Sequence, residues 1–159
     1  MHTQPFTPGQ RITLFVAEGF GFGRTRFAPG TFGSLPGLAM MWGLQVLDAT
    51  PLHCLALWLL CFLCGIPICQ QAAVLRGKHD PGSVVWDEIT AFPLLAAIAK
   101  PGWQGLLLAF VLFRIFDISK PWPVNRLEKI PGGSGIMADD QAAAVWAGLV
   151  LWVTQKWLI

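Results

Sequence analysis

The sequence predicts an all-α, multi-helical bundle embedded in a membrane, and three observations lead there. Apolar residues make up 54% of the 159 residues and charged residues only 13%, about half the ~25% of an ordinary soluble domain. The 11 basic and 9 acidic side chains are too few to coat a 17.4 kDa globule. About five apolar stretches follow one another, parted by joints rich in Gly and Pro, which are helix-end and turn signals. The mean hydropathy of +0.56 excludes a disordered chain, and the length fits a single domain over residues 1–159.

The first stretch, Phe32 to Leu47, carries no charge and stops at Asp48, Thr50 and Pro51. The second, Leu52 to Leu75, has only His53, Gln70 and Gln71 as strongly polar residues. The third starts near Ser83 or Val84 and runs to Ala99, with Asp80 as its expected N-cap and Pro81 at the first helical position. Trp103 to Ile118 is the fourth, and Asp140 to Leu158 the fifth, preceded by an expected loop at Pro131–Gly135. A full span needs about 20 residues, so the shorter stretches are expected to cross partially or to be buried among the others. Ile12 to Ala17 is too short for a signal peptide, and Glu18 follows directly.

Alternating the stretches across a bilayer from a cytoplasmic N-terminus puts Arg11, Arg24, Arg26, Arg76, Lys78, Arg114, Lys120, Arg126 and Lys129 inside. Only Lys100 and Lys156 lie outside, the asymmetry that positive-inside topology requires. The acids divide the same way, with only Asp48 outside. A multi-pass membrane protein with its chemistry facing the cytoplasm is the expectation.

Acids entering apolar helices are costly unless paired or bound to a cation. Two tandem pairs do this, Asp87-Glu88 and Asp139-Asp140. Together they suit a hard cation with oxygen ligands, and Mg²⁺ is ordinarily held by one or two carboxylates with substrate phosphate and water. Asp80 and Asp117 are further candidates, the latter set between Arg114 and Lys120. Arg114, Lys120 and a Thr31–Ser34 loop are the expected phosphate contacts. Arg24, Arg26 and Lys78 fit the charge asymmetry, and Arg24 and Arg26, just ahead of Pro29–Ser34, are the alternative place for the phosphate.

Other chemistries lack their residues. A net charge of +2 without a basic run excludes a nucleic-acid footprint. Cys54, Cys61, Cys64 and Cys69 all fall in or beside one apolar stretch and are expected as small apolar helix residues. His2, His53 and His79 are isolated from one another. No nucleophilic Cys, Ser or His arrangement is present, which leaves metal-assisted attack by water. A divalent-cation transporter would spread its acids through the membrane depth, whereas these gather at one face. A non-catalytic membrane protein would leave the paired acids without a task.

Four blocks carry a family resemblance: Gly19–Gly21 with Pro29–Ser34, His79–Glu88, Phe113–Pro123 and Gly132–Asp140. In order and spacing they resemble the bacterial phosphatidylglycerophosphatase A family. The resemblance implies Mg²⁺-dependent hydrolysis of phosphatidylglycerophosphate to phosphatidylglycerol and phosphate, a step of phospholipid biosynthesis. It implies a helical fold with a central helix surrounded by others, a place in the bacterial inner membrane and a phospholipid substrate in the bilayer; no protein partner is implied. Asp80, Asp87, Glu88, Asp117, Asp139 and Asp140 are then the expected catalytic residues. Asp87, Glu88, Asp139 and Asp140 would hold the metal, and Thr31, Ser34, Arg114 and Lys120 would bind the phosphate.

Overall fold

A computed structural model describes residues 5–158 as an all-α bundle; His2 lies outside the described residues. The elements are α1 (Pro8–Ala17), a 3₁₀ segment (Gly19–Arg24), α2 (Pro29–Val46), α3 (Pro51–Arg76), α4 (Trp86–Ala96), α5 (Trp103–Ser119), α6 (Val124–Leu127) and α7 (Gly133–Leu158). Local chemistry sets several boundaries. Thr7 and Gln10 close a reciprocal cap over α1, with Pro8 in its first turn. Thr50 and His53 do the same for α3, where the imidazole takes the place of the usual Glu or Gln. Gly77 ends α3 at φ 64°, a left-handed stop that costs Gly little.

α4 packs against α2, α3, α5 and α7, and Ile89, Thr90, Ala91, Phe92, Pro93 and Leu95 are buried along it. Phe92 and Phe113 meet edge to face at 5.4 Å, and Met41, Leu95, Ala143, Ala144, Ala147 and Leu151 complete this core. Gly33 and Gly37 let α2 lie directly on α4: a Cβ on Gly33 would strike Val85, and one on Gly37 would strike Phe92 and the Ile89 backbone.

Three sequence expectations need correction. Asp80 is not a helix cap, because α4 starts at Trp86 and its N-cap is Val85. The Val85 N–H bonds the Ala17 carbonyl at 2.9 Å, so tertiary pairing holds the preceding segment out of the helix. Asp87 and Glu88 therefore lie in the first turn of α4. At 11 residues and ~1.5 Å per residue, this helix falls well short of the ~30 Å apolar thickness of a bilayer. Next, Thr31–Ser34 is no loop but part of the start of α2, which Pro29 opens. Finally, Gly133–Gly135 is the first turn of α7, so Asp139 and Asp140 are its seventh and eighth residues and cap nothing. A Cβ on Gly133 would meet the Ile66 carbonyl, and Gln70 Oε1 accepts the Gly133 N–H at 2.7 Å. The glycine serves close approach to α3 rather than a turn.

Pro51–Arg76 and Gly133–Trp157 are long and apolar enough to cross a membrane. Only 17% of the α3 stretch is buried inside the protein, whereas a soluble core helix would be mostly covered. Leu55, Leu59, Leu60 and Leu63 of α3 and Leu149, Trp152 and Val153 of α7 are exposed, a lining suited to lipid. All four cysteines are free.

Candidate active site

The structure brings the six sequence-predicted carboxylates to one end of the bundle. Asp80 comes from the turn before α4, Asp87 and Glu88 from the start of α4, Asp117 from the end of α5, and Asp139 and Asp140 from the second turn of α7. Asp87, Asp139 and Asp140 are at most 7% exposed. Asp140 stands in the electrostatic field of Asp87, Asp117, Asp139 and Glu88, and Asp87 in that of Glu88, Asp80 and Asp139.

Two cations serve this cluster. Arg114 Nη1 bonds Glu88 Oε1 at 3.2 Å and Asp117 Oδ2 at 2.7 Å. Lys120 Nζ lies 2.7 Å from Glu128 Oε1 and 3.1 Å from Asp139 Oδ2. Burial works against the Lys120 charge, but these two ion pairs outweigh it and raise its pKa above the ordinary value. Asp80 is exposed as a residue, yet the protein crowding its carboxyl group withdraws enough water to raise its pKa, with Lys120 pulling against the rise and Glu128 and Asp117 adding to it. Ser34, fully buried, donates its hydroxyl to the Gly30 carbonyl at 2.7 Å or to Glu88 Oε2 at 3.1 Å. Gly30 itself lies against Glu88 and Arg114, where a Cβ would intrude. Thr31 is half-buried and makes no side-chain hydrogen bond to the cluster among the described residues.

Six carboxylates against two cations leave a large negative excess in a mostly buried region. Such an arrangement demands protons or bound cations. Asp140 Oδ2 and Arg114 Nε are buried with no hydrogen-bond partner among the described residues. Among those residues no three Asp, Glu, His or Cys side chains enclose an ion by themselves. Mg²⁺, ordinarily held by one or two carboxylates, would have to complete its shell there with water and substrate phosphate. The donor set and the orphaned Asp140 oxygen fit such an ion.

Sequence reasoning missed three contributors. Gln141 donates from Nε2 to the Asp87 carbonyl at 3.1 Å and to Thr90 Oγ1 at 3.0 Å, while its Oε1 accepts from Trp58 Nε1 at 2.8 Å. It ties α3, α4 and α7 together beside the acids. Glu128 is the second partner of Lys120. Glu18 is fully buried and takes Arg24 Nε at 2.5 Å, Arg76 Nη2, and the Ser83 hydroxyl at 3.4 Å. Position on the charged face was the one signal for Glu18. Its burial follows from the 3₁₀ turn, in which Phe20 and Gly21 adopt positive φ and fold the chain back.

Residues 15–155 match the family model described as phosphatidylglycerophosphatase A. A phosphatidylglycerophosphatase A of Haemophilus influenzae is 44% identical, over 96% of this chain and 97% of its own. Another of Escherichia coli is 39% identical, over 89% of this chain and 83% of its own. A putative phosphatidylinositol-3-phosphatase of Bacteroides thetaiotaomicron is 36% identical, over 93% of this chain and 96% of its own. No solved structure matches the chain.

Proposed function

The chain belongs to the phosphatidylglycerophosphatase A family, and from that premise we propose how it acts: as a lipid phosphatase that hydrolyses phosphatidylglycerophosphate with the help of Mg²⁺. The observation that carries the mechanism is the excess of buried carboxylate over cation at one end of the bundle, with one Asp140 oxygen unpartnered. Asp87, Glu88, Asp139 and Asp140 are the candidate ligands, one or two of which would hold the ion together with water and substrate phosphate. When bound, Mg²⁺ supplies charge neutralisation at the phosphoryl oxygens and a lowered pKa for water.

The chain's own groups do the rest. Lys120 fixes Asp139, and Arg114 fixes Glu88 against Asp117. The unpartnered Arg114 Nε is the donor left for a phosphate oxygen. Ser34 steadies the second oxygen of Glu88. Asp80 lies exposed at the rim of the cluster, in the field of Lys120. Ser34 and Gly30 keep the approach to Glu88 close and dry, and Thr31 is near enough in sequence to line it. The whole of 1–159 works as one unit, with α4 as the central helix of the family's fold. The acids face the cytoplasm from the inner membrane, where the phospholipid substrate reaches them through the bilayer.

Purified protein in detergent, given phosphatidylglycerophosphate, should release phosphate with Mg²⁺ and lose that activity with EDTA. Phosphatidylinositol 3-phosphate belongs in the same assay, because one relative carries that name. Phosphate release that persists in EDTA overturns the metal assignment. Preference for the inositol lipid overturns the substrate.

A further inference from the structure

Next to the acidic cluster lies a recess of opposite sign. A cavity of about 550 Å³ is lined by Arg24, Thr25, Pro29, Arg76, Lys78 and Ser83, among others. Three cations face it, and one carboxylate, the fully buried Glu18, sits beneath them. Glu18 takes Nε of Arg24 and Nη2 of Arg76. That pairing fixes both guanidinium planes and leaves further N–H groups on each without a partner among the described residues. Lys78 has no ion pair among those residues either. Thr25 also lines the recess, and its Oγ1 is buried with no hydrogen-bond partner among the described residues. Fixed guanidinium forks, a free ammonium and an orphaned hydroxyl make a site for a phosphate-type anion.

The recess shares its walls with the acids. Pro29 lines it, and the next residue, Gly30, lies against Glu88 and Arg114. Consecutive Cα atoms are about 3.8 Å apart, so the wall shared by the two sites is one peptide unit thick at this point. Lys78 and Pro81 also line it, and Asp80 between them stands in the field of Lys120. Phosphatidylglycerophosphate carries two phosphates on one glycerol, a terminal monoester and a diester leading to the acyl chains. A diester anion has no cation-rich surface to rest on inside the carboxylate cluster.

Resting on the phosphatase reading, we propose that this recess is a subsite for the substrate's phosphodiester, held while the terminal monoester reaches the carboxylates. It selects headgroups that carry both phosphates over a lipid whose monoester is attached directly to diacylglycerol. Arg24, Lys78 and Thr25 are specificity residues on this assignment, and Glu18 positions Arg24 and Arg76.

The test uses the whole protein in nonionic micelles with Lys78→Gln, Arg24→Lys and Thr25→Val. Arg24→Lys keeps a charge over Glu18, which protects the fold. Each variant should raise KM for phosphatidylglycerophosphate roughly tenfold, the order expected for one lost charge-assisted contact. The kcat/KM preference over phosphatidic acid should fall by a similar factor. Thr25→Val should also raise Tm, since a buried hydroxyl without a partner is replaced by a methyl. Equal losses on both substrates, or no loss on either, overturn the subsite. A turnover-free arm follows binding of phosphatidylglycerol, which keeps the diester and lacks the monoester, by tryptophan fluorescence. If the native protein releases no phosphate but phosphatidylglycerol binding still weakens about tenfold in the variants, the phosphatase reading falls and the subsite stands. If turnover is present and phosphatidylglycerol binds native and variant proteins alike, the subsite falls. Oleate competing as well as phosphatidylglycerol would make the recess a general anionic-lipid contact and also overturn it.

Discussion

Nη1 of Arg114 is shared between Glu88 and Asp117, and its buried Nε has no partner. Lysine at this position keeps the charge but cannot bridge two carboxylates in a plane and still offer a separate donor. Arg114→Lys should therefore lower kcat/KM by roughly 10–100-fold, the equivalent of one charged hydrogen bond, with helix content by circular dichroism unchanged; near-native turnover would remove Arg114 from the phosphate site. Gln141→Leu should act differently. It strips partners from the Asp87 carbonyl, Thr90 and Trp58 at once, costing about 1–3 kcal/mol in Tm-derived stability and raising the Mg²⁺ concentration for half activity. The acids were legible in the sequence because a carboxylate in an apolar stretch has few innocent explanations. Gln141 and Glu18 were not. A lone Gln inside a helix and a Glu after a short apolar run acquire their roles only when residues dozens of positions away arrive beside them.

At the scale of elements, the stretches that became α2, α3 and α5 were readable to within a few residues, since Pro and Gly mark their ends. The starts of α4 and α7 were misread for opposite reasons. Asp80-Pro81 has the form of a helix cap, yet the bond from Val85 to Ala17 wins. The glycines before Asp139 have the form of a loop, yet they are small so that α7 can begin against the α3 backbone. The first free N–H of α7 is satisfied by Gln70, a side chain of another helix, as no neighbour in sequence does so. Gln70→Leu should then destabilise by about 1 kcal/mol, the usual worth of a lost cap, read as a lower Tm. Gly133→Ala should cost more, because its methyl meets the Ile66 carbonyl and neither backbone can yield; a Tm within a degree of native would contradict that packing.

Over the whole molecule, the two ends of the bundle differ in kind. At one end the Lys100 N–H and ammonium bond Gln155, and the Gly102 N–H bonds Gln45 at 3.3 Å. At the other stand the acids, Arg76, Arg114 and Lys120. The basic asymmetry of the sequence predicted this division, while the shortness of α4 was hidden because an apolar run looks alike whether it meets lipid or protein. Single cysteines placed at 78, 125 and 49 in a cysteine-free background should divide by side: an impermeant reagent applied outside should modify 49 and spare 78 and 125, and the reverse pattern would invert the orientation. The central position of α4 also has a consequence for biogenesis. The ribosome delivers α4 after α2 and α3 but before α5 and α7, so at its emergence Glu88 finds Ser34 waiting while Arg114 and Gln141 do not yet exist. A helix bearing two uncompensated acids is a poor candidate for entering lipid alone. The nascent chain would therefore keep α4 at the membrane surface, leaning on the glycine face of α2, until the later helices close over it, so that the acidic site is complete only once α7 has emerged.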